Sequence, residues 1–157
     1  MAIITQRCVC ACGATSAHIH GAPIARFFCH CTNCQSLYQQ SWADVVVFRS
    51  GSITIPEPRK LAFRRYRPLP ALNRGVCSDC GSPVVALTPG PSAVGLAFVP
   101  SHTFENQNEL PSATEHIFYD RRVTDVKDAL PKICGYWRSE FAVVRMVGRG
   151  LLAQIGV

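Results

Sequence analysis

Polar and apolar residues alternate with a period of two in several short stretches of the chain, the pattern of half-buried strands. Gly13–His20 alternates in this way, and Asp44–Ile55 reads as two strands around a Ser50-Gly51 turn. Leu61–Tyr66, Pro83–Leu87, Val94–Val99 and Glu115–Tyr119 are further strand segments, with glycine and proline punctuating the intervals. Helical periodicity is scarce. Asn33–Gln40 predicts a short helical turn, whereas Phe141–Val147 reads as one more strand. Arg149–Val157 is small and apolar, suited to capping the core, to a dimer contact or to disorder. The pattern predicts a mainly β fold with little helix, and residues 1–157 form one domain without a recognisable linker or repeat.

Composition supports a folded core: 48% of residues are hydrophobic and 17% charged, which is globular rather than disordered. The longest apolar runs, Val94–Pro100 and Phe141–Val147, are far shorter than the ~20 residues of a membrane-spanning helix. Met1–Arg7 lacks the basic and apolar regions of a secretory signal, so a cytoplasmic location is expected. The net charge of +6 is concentrated in Arg59–Arg74, a segment that Pro68 and Pro70 break up. Such a basic stretch suits nucleic acid, an acidic small molecule or, most commonly, a solvated loop. No aromatic recognition motif interleaves it, which argues against nucleic acid as the partner.

Nine cysteines change the picture most. Their number is odd, no export signal accompanies them, and most are tightly spaced, so metal ligation is expected rather than disulfides. Three groups stand out: Cys10-Ala-Cys12-Gly13, Cys29-His30-Cys31-Thr32-Asn33-Cys34, and Cys77-Ser-Asp-Cys80-Gly81. A Cys-x-Cys pair on an extended segment presents two sulfurs on one face, and a Cys-x-x-Cys-Gly turn presents two more. Joining the first and third groups gives a closed four-thiolate site, structural because no position remains for substrate. The middle group then offers three thiolates and an open position, as catalytic zinc sites do. Other divisions of the sulfurs satisfy valence equally well. His30 alternates away from its neighbours and reads as a packed or hydrogen-bonding residue. Cys8, which could substitute as a ligand, reads as a free thiol, and Cys134 as a buried hydrophobe.

Taken in this order, the three groups resemble the family of glutathione-dependent formaldehyde-activating enzymes, which includes centromere protein V. Weaker echoes occur at Leu110-Pro111, Glu115-His116-Ile117 and Leu130-Pro131, so the resemblance covers roughly residues 7–131. It implies a β-tent fold of short antiparallel sheets stapled by zinc. It also implies that Cys10, Cys12, Cys77 and Cys80 hold a structural zinc while Cys29, Cys31 and Cys34 hold a catalytic one. The implied activity is that of a carbon–sulfur lyase acting on adducts of glutathione with formaldehyde. Val76 stands where family members commonly have an aromatic residue.

Thiol chemistry also follows from the residues themselves, because metal coordination lowers a thiol's pKa and thiolate is the nucleophile. Glutathione or a similar small thiol is the expected co-substrate and an aldehyde its partner. Arg64, Arg65 or Arg67 is a candidate clamp for the thiol's carboxylates. The alternative is a non-catalytic zinc module that uses its basic surface to contact a protein or nucleic acid; thiol-based metal buffering ranks third.

Overall fold

The computed structural model describes residues 2–66, 72–92 and 94–156. Ten strands form two sheets among these residues. The smaller contains β1 (Ile4–Val9), β2 (Ser16–Gly21) and β5 (Ile53–Thr54), in the order β1-β2-β5. The larger contains β3 (Ala25–Cys29), β4 (Ala43–Arg49), β6 (Leu61–Arg64), β7 (Asn73–Cys77), β8 (Pro83–Leu87), β9 (Leu96–Pro100) and β10 (His116–Ile117). Its order is β10-β3-β4-β9-β8-β7-β6, antiparallel except where β10 runs parallel to β3. Two α-helices complete the fold, α1 (Thr32–Tyr38) and α2 (Tyr136–Gln154). The mainly β architecture with little helix is as the polar–apolar pattern predicts, and no described helix is long and apolar enough to cross a membrane.

Strand β4 shows why the fold has two cores. Val45, Val46, Val47 and Phe48 are all buried, because both faces of this central strand are covered. Val46 and Phe48 join Ile19, Val84, Val99 and Phe104 in a core shared with the small sheet. Ala43, Val45 and Val47 join Phe27, Ile117, Ala142 and Met146 in a second core, closed by α2.

Several expected elements are corrected. Ser50-Gly51 does not turn a hairpin: a 3-10 turn over Ser50–Ser52 redirects the chain, and β5 pairs with β2 in the other sheet. The Glu115–Tyr119 segment shortens to β10, because Phe118 adopts φ 53° and ends the extended backbone. Strand β7, absent from the expected set, contains Gly75 and a register shift between Gly75 and Val76, features that weaken an alternating pattern.

The largest correction is Phe141–Val147, which is helical. Its β-branched valines suit a strand locally, but over the full nineteen residues Ser139, Ala142, Met146 and Gly150 recur at helical spacing and are buried. The Ser139 hydroxyl accepts the Phe118 N–H at 2.8 Å, which ties α2 to the segment after β10. At Gly150 the helix backbone lies against Ile24 so closely that a Cβ would sit 2.0 Å from the Ile24 carbonyl oxygen. Gly150→Ala is therefore expected to destabilise the protein by about 3 kcal/mol, since neither backbone can yield cheaply. Gly148→Ala, whose Cβ meets nothing within 4 Å, should instead gain about 0.5–1 kcal/mol of helix propensity. Urea unfolding midpoints of the two variants check the contrast; equal midpoints would contradict the packing.

Candidate metal centres

Cys10 and Cys12 follow β1, and Cys77 and Cys80 close β7, so the two pairs come from different sheets. Both pairs sit in turns of the same kind. The Cys10 N–H donates to the Thr15 carbonyl at 3.1 Å, as the Cys77 N–H does to the Ser82 carbonyl at 2.9 Å. Gly13 (φ 77°) and Gly81 (φ 71°) occupy the left-handed region that lets each turn close behind its cysteines. The Cys10–Cys12 pair is thus presented by a turn rather than by the extended segment expected from the sequence.

The four sulfurs lie within 4.8 Å of one another. Cys10 and Cys12 Sγ are 3.6 Å apart, and Cys12 and Cys77 Sγ 3.8 Å. Metal–sulfur bonds of ~2.3 Å in a tetrahedron give edges of ~3.8 Å, so this cluster has zinc–thiolate dimensions. Thiolate character is favoured locally. A hydrogen bond with the Ser82 hydroxyl at 2.9 Å leads the interactions that lower the Cys80 thiol to about 6. Burial opposes ionisation of Cys10, but the Thr15 N–H and the neighbouring thiols outweigh it and lower its pKa.

The second cluster joins Cys29 at the end of β3 to Cys31 and Cys34 of the following helix, with all three sulfurs within 4.8 Å. Cys31 is the N-cap of α1, and its sulfur accepts the Cys34 N–H at 3.4 Å. Cys29 and Cys34 are buried and Cys31 half-buried, so the cluster meets solvent at Cys31. Hydrogen bonds from the Cys29 and Cys34 thiols hold Cys31 down to about 2, while the same sharing pushes Cys29 well up. An anionic sulfur is thereby favoured at the accessible corner.

A family model described as glutathione-dependent formaldehyde-activating enzyme matches residues 5–121. The chain belongs to this family. No curated protein matches it. As a member of the glutathione-dependent formaldehyde-activating family, it carries both cysteine clusters within the matched span, whereas α2 lies beyond it. The donor sets are all sulfur, which suits zinc and disfavours hard cations.

Among the described residues an arginine stands at the three-cysteine cluster: Arg74 of β7, with Nη1 3.8 Å from Cys34 Sγ. Burial works against its charge, but the Cys34 and Cys31 sulfurs more than offset that and raise its pKa. Of the arginines expected to serve there, Arg64 pairs with Arg74 one strand further out, and Arg65 is exposed beyond β6. Arg67 lies outside the described residues. Tyr38, on α1, has its hydroxyl pushed up by burial and by Cys34, which keeps it a neutral donor.

Cys8 belongs to neither group of sulfurs; it is fully buried, and burial pushes its thiol up to about 12. Cys134 is exposed rather than buried, because it lies in the connection before α2 rather than in an element facing a core.

His30 turns to the opposite face of the sheet from Cys29 and is completely buried. Its Nε2 is 2.9 Å from His116 Nδ1, and His116 Nε2 is 2.8 Å from Asp128 Oδ2. Lys132 and then His116 hold Asp128 down to about 2, so its carboxylate accepts from His116. His116 Nδ1 in turn accepts from His30 Nε2–H, which leaves His30 Nδ1 a buried acceptor without a partner among the described residues. The chain clamps the backbone between Cys29 and Cys31, with the His30 N–H also bonded to the Ile117 carbonyl at 3.0 Å. The Glu115-His116-Ile117 echo supplies half of this clamp. Its role is invisible in sequence because His30 and His116 are 86 residues apart.

Proposed function

We propose that the protein joins a small thiol, glutathione or a close relative, to an aldehyde, or separates the adduct, as a zinc-dependent carbon–sulfur lyase. Cys29, Cys31 and Cys34 form the catalytic site, and Cys10, Cys12, Cys77 and Cys80 hold a structural zinc. The observation that carries this reading is the convergence of three sulfurs, one corner short of a tetrahedron, on a half-buried edge. Thiolate ligands require a reducing compartment, which is the basis for placing the protein in the cytoplasm. Membership of the family supplies glutathione and formaldehyde as the substrate class.

In the forward direction the thiol gives up its proton and its sulfur lone pair bonds to the carbonyl carbon. The C=O π pair moves onto oxygen, which takes a proton, and the product is a hemithioacetal, the S-hydroxymethyl adduct when the aldehyde is formaldehyde. A metal bound at the cluster supplies Lewis acidity that lowers the pKa of an incoming thiol. Arg74 offsets negative charge, since three thiolates and a divalent ion sum to −1 before an anionic substrate arrives. Tyr38, kept protonated, is a hydroxyl donor on the helix that carries Cys34. The His30–His116–Asp128 clamp holds the ligand loop from behind.

Titrating reduced glutathione into cobalt-substituted protein tests the assignment through the thiolate-to-metal charge-transfer band. A saturable increase is expected, and an unchanged spectrum at millimolar thiol would refute a thiol-binding site. Arg74→Gln should weaken that titration about tenfold, on the order of 1.4 kcal/mol for one charge-assisted interaction. An unaltered midpoint would remove Arg74 from the site.

A further inference from the structure

Tyr38 is the last residue of α1, one turn beyond Cys34. Residues four apart share a helix face, and long side chains lean back towards the N-terminus, so its ring lies over the turn that carries Cys34. Gln39 ends the helix there in the left-handed region (φ 50°), with its N–H bonded to the Gln35 carbonyl. The Tyr38 ring packs on the second core and meets the exposed His102 edge-on, with centroids 6.1 Å apart. Its hydroxyl is not used in this packing. Among the described residues it has no hydrogen-bond partner, although a half-buried phenol ordinarily finds one. Nor is it one of the sealed polar atoms without a partner, which belong to Thr15, His30 and Glu115. The hydroxyl therefore reaches accessible space.

Arg74 completes the arrangement. Its Nη1 lies 3.8 Å from Cys34 Sγ; burial opposes its charge, while Cys34, Cys31 and Tyr38 favour it. A neutral hydroxyl and a cation thus stand beside the same sulfur, and they suit different oxygens. A guanidinium matches a permanent carboxylate, such as an acidic thiol carries. A hydroxyl that burial keeps protonated suits an oxygen that is neutral in the substrate and gains charge only as a bond forms.

We propose that Tyr38 is a catalytic residue of the three-cysteine site, donating a hydrogen bond from its hydroxyl to the aldehyde oxygen as the C–S bond forms. The inference rests on the thiol–aldehyde reading of that site. The deprotonated sulfur's lone pair bonds to the carbonyl carbon, and the C=O π pair moves onto oxygen. That alkoxide accepts from Tyr38 and then takes a proton from water, in place of the one the thiol released. Tyr38 ends as it began. In reverse the same hydrogen bond holds the oxygen while the C–S pair returns to sulfur.

Tyr38→Phe tests the proposal, because it removes one oxygen and keeps the ring. That oxygen bonds to nothing among the described residues, so melting temperature and zinc content should match the parent protein's. The glutathione midpoint of the cobalt-substituted variant should also be unchanged. At saturating glutathione and formaldehyde, the rate of adduct exchange above the spontaneous rate, read by exchange NMR, should fall about 10²-fold. Arg74→Gln should split the other way, with a weaker titration and a smaller loss at saturation. A Tyr38→Phe protein that keeps the parent's rate would overturn the role of Tyr38 and leave the thiol site standing. So would a loss of rate that comes with a lower melting temperature or a weaker thiol midpoint. A parent protein whose cobalt band ignores glutathione would overturn the site itself, and this inference with it.

Discussion

Cys31→Ser is expected to abolish thiol–aldehyde chemistry while leaving the protein folded. The substitution separates two jobs of one side chain. As the N-cap of α1, Cys31 accepts the Cys34 N–H through its sulfur, and serine is among the best residues for that position. As the half-buried corner of the three-sulfur cluster, it supplies the thiolate that the Cys29 and Cys34 thiols stabilise, and a serine hydroxyl does not ionise near neutral pH. With two thiolates left, the site should lose its metal, so zinc content falls from two ions per chain to one. Loss of several kcal/mol of Lewis-acid stabilisation corresponds to a rate lower by at least ~10²-fold. The melting temperature should move by only a few degrees. Full activity in the variant, or two ions still bound per chain, would remove the three-cysteine cluster from the chemistry.

Cys77→Ser is expected to do the reverse and damage the fold. Cys77 is 1% exposed, sits in the core shared by the two sheets, and contributes one of four sulfurs gathered from turns after β1 and β7. Metal bound there cross-links the sheets, and such binding energy is folding energy. Losing one ligand should cost roughly 3–5 kcal/mol, a large share of the 5–15 kcal/mol that typically holds a protein together. For a chain of this length the corresponding drop in melting temperature is about 10 °C. A chelator should lower the parent protein's melting temperature comparably and add little to the variant's loss. A melting curve indifferent to both treatments would show that the sulfurs gather without stapling anything.

Much of the site was legible before any coordinates, because metal-binding cysteines are spaced locally. The grouping at Cys10/Cys12, Cys29/Cys31/Cys34 and Cys77/Cys80 is a property of three short segments, and the fold brings the first and third together. The strands with clean alternation were legible for the same reason: in β2, Ala17 and Ile19 are buried while His18 and His20 are exposed. Where one face of a segment meets water, the solvent boundary is written into neighbouring residues.

Local pattern fell short where a residue's surroundings come from far along the chain. Arg74 reads as one more cation in a basic segment, yet the register of β7 sets it against Cys34, forty residues earlier. Phe141–Val147 has the valines of a strand, but burial at Ser139, Ala142, Met146 and Gly150 selects the helix, since a packed helical face outweighs β propensity. The amino-acid sequence alone determined the three local groups of cysteines and that the fold is mainly β, while the joining of the first group to the third came from the fold. Only the tertiary structure decided which charges and histidines stand behind those sulfurs, and which face of α2 is left uncovered. Side-chain chemistry and short-range periodicity are carried by neighbours in the chain, whereas strand register and helix docking depend on long-range packing that no short segment contains.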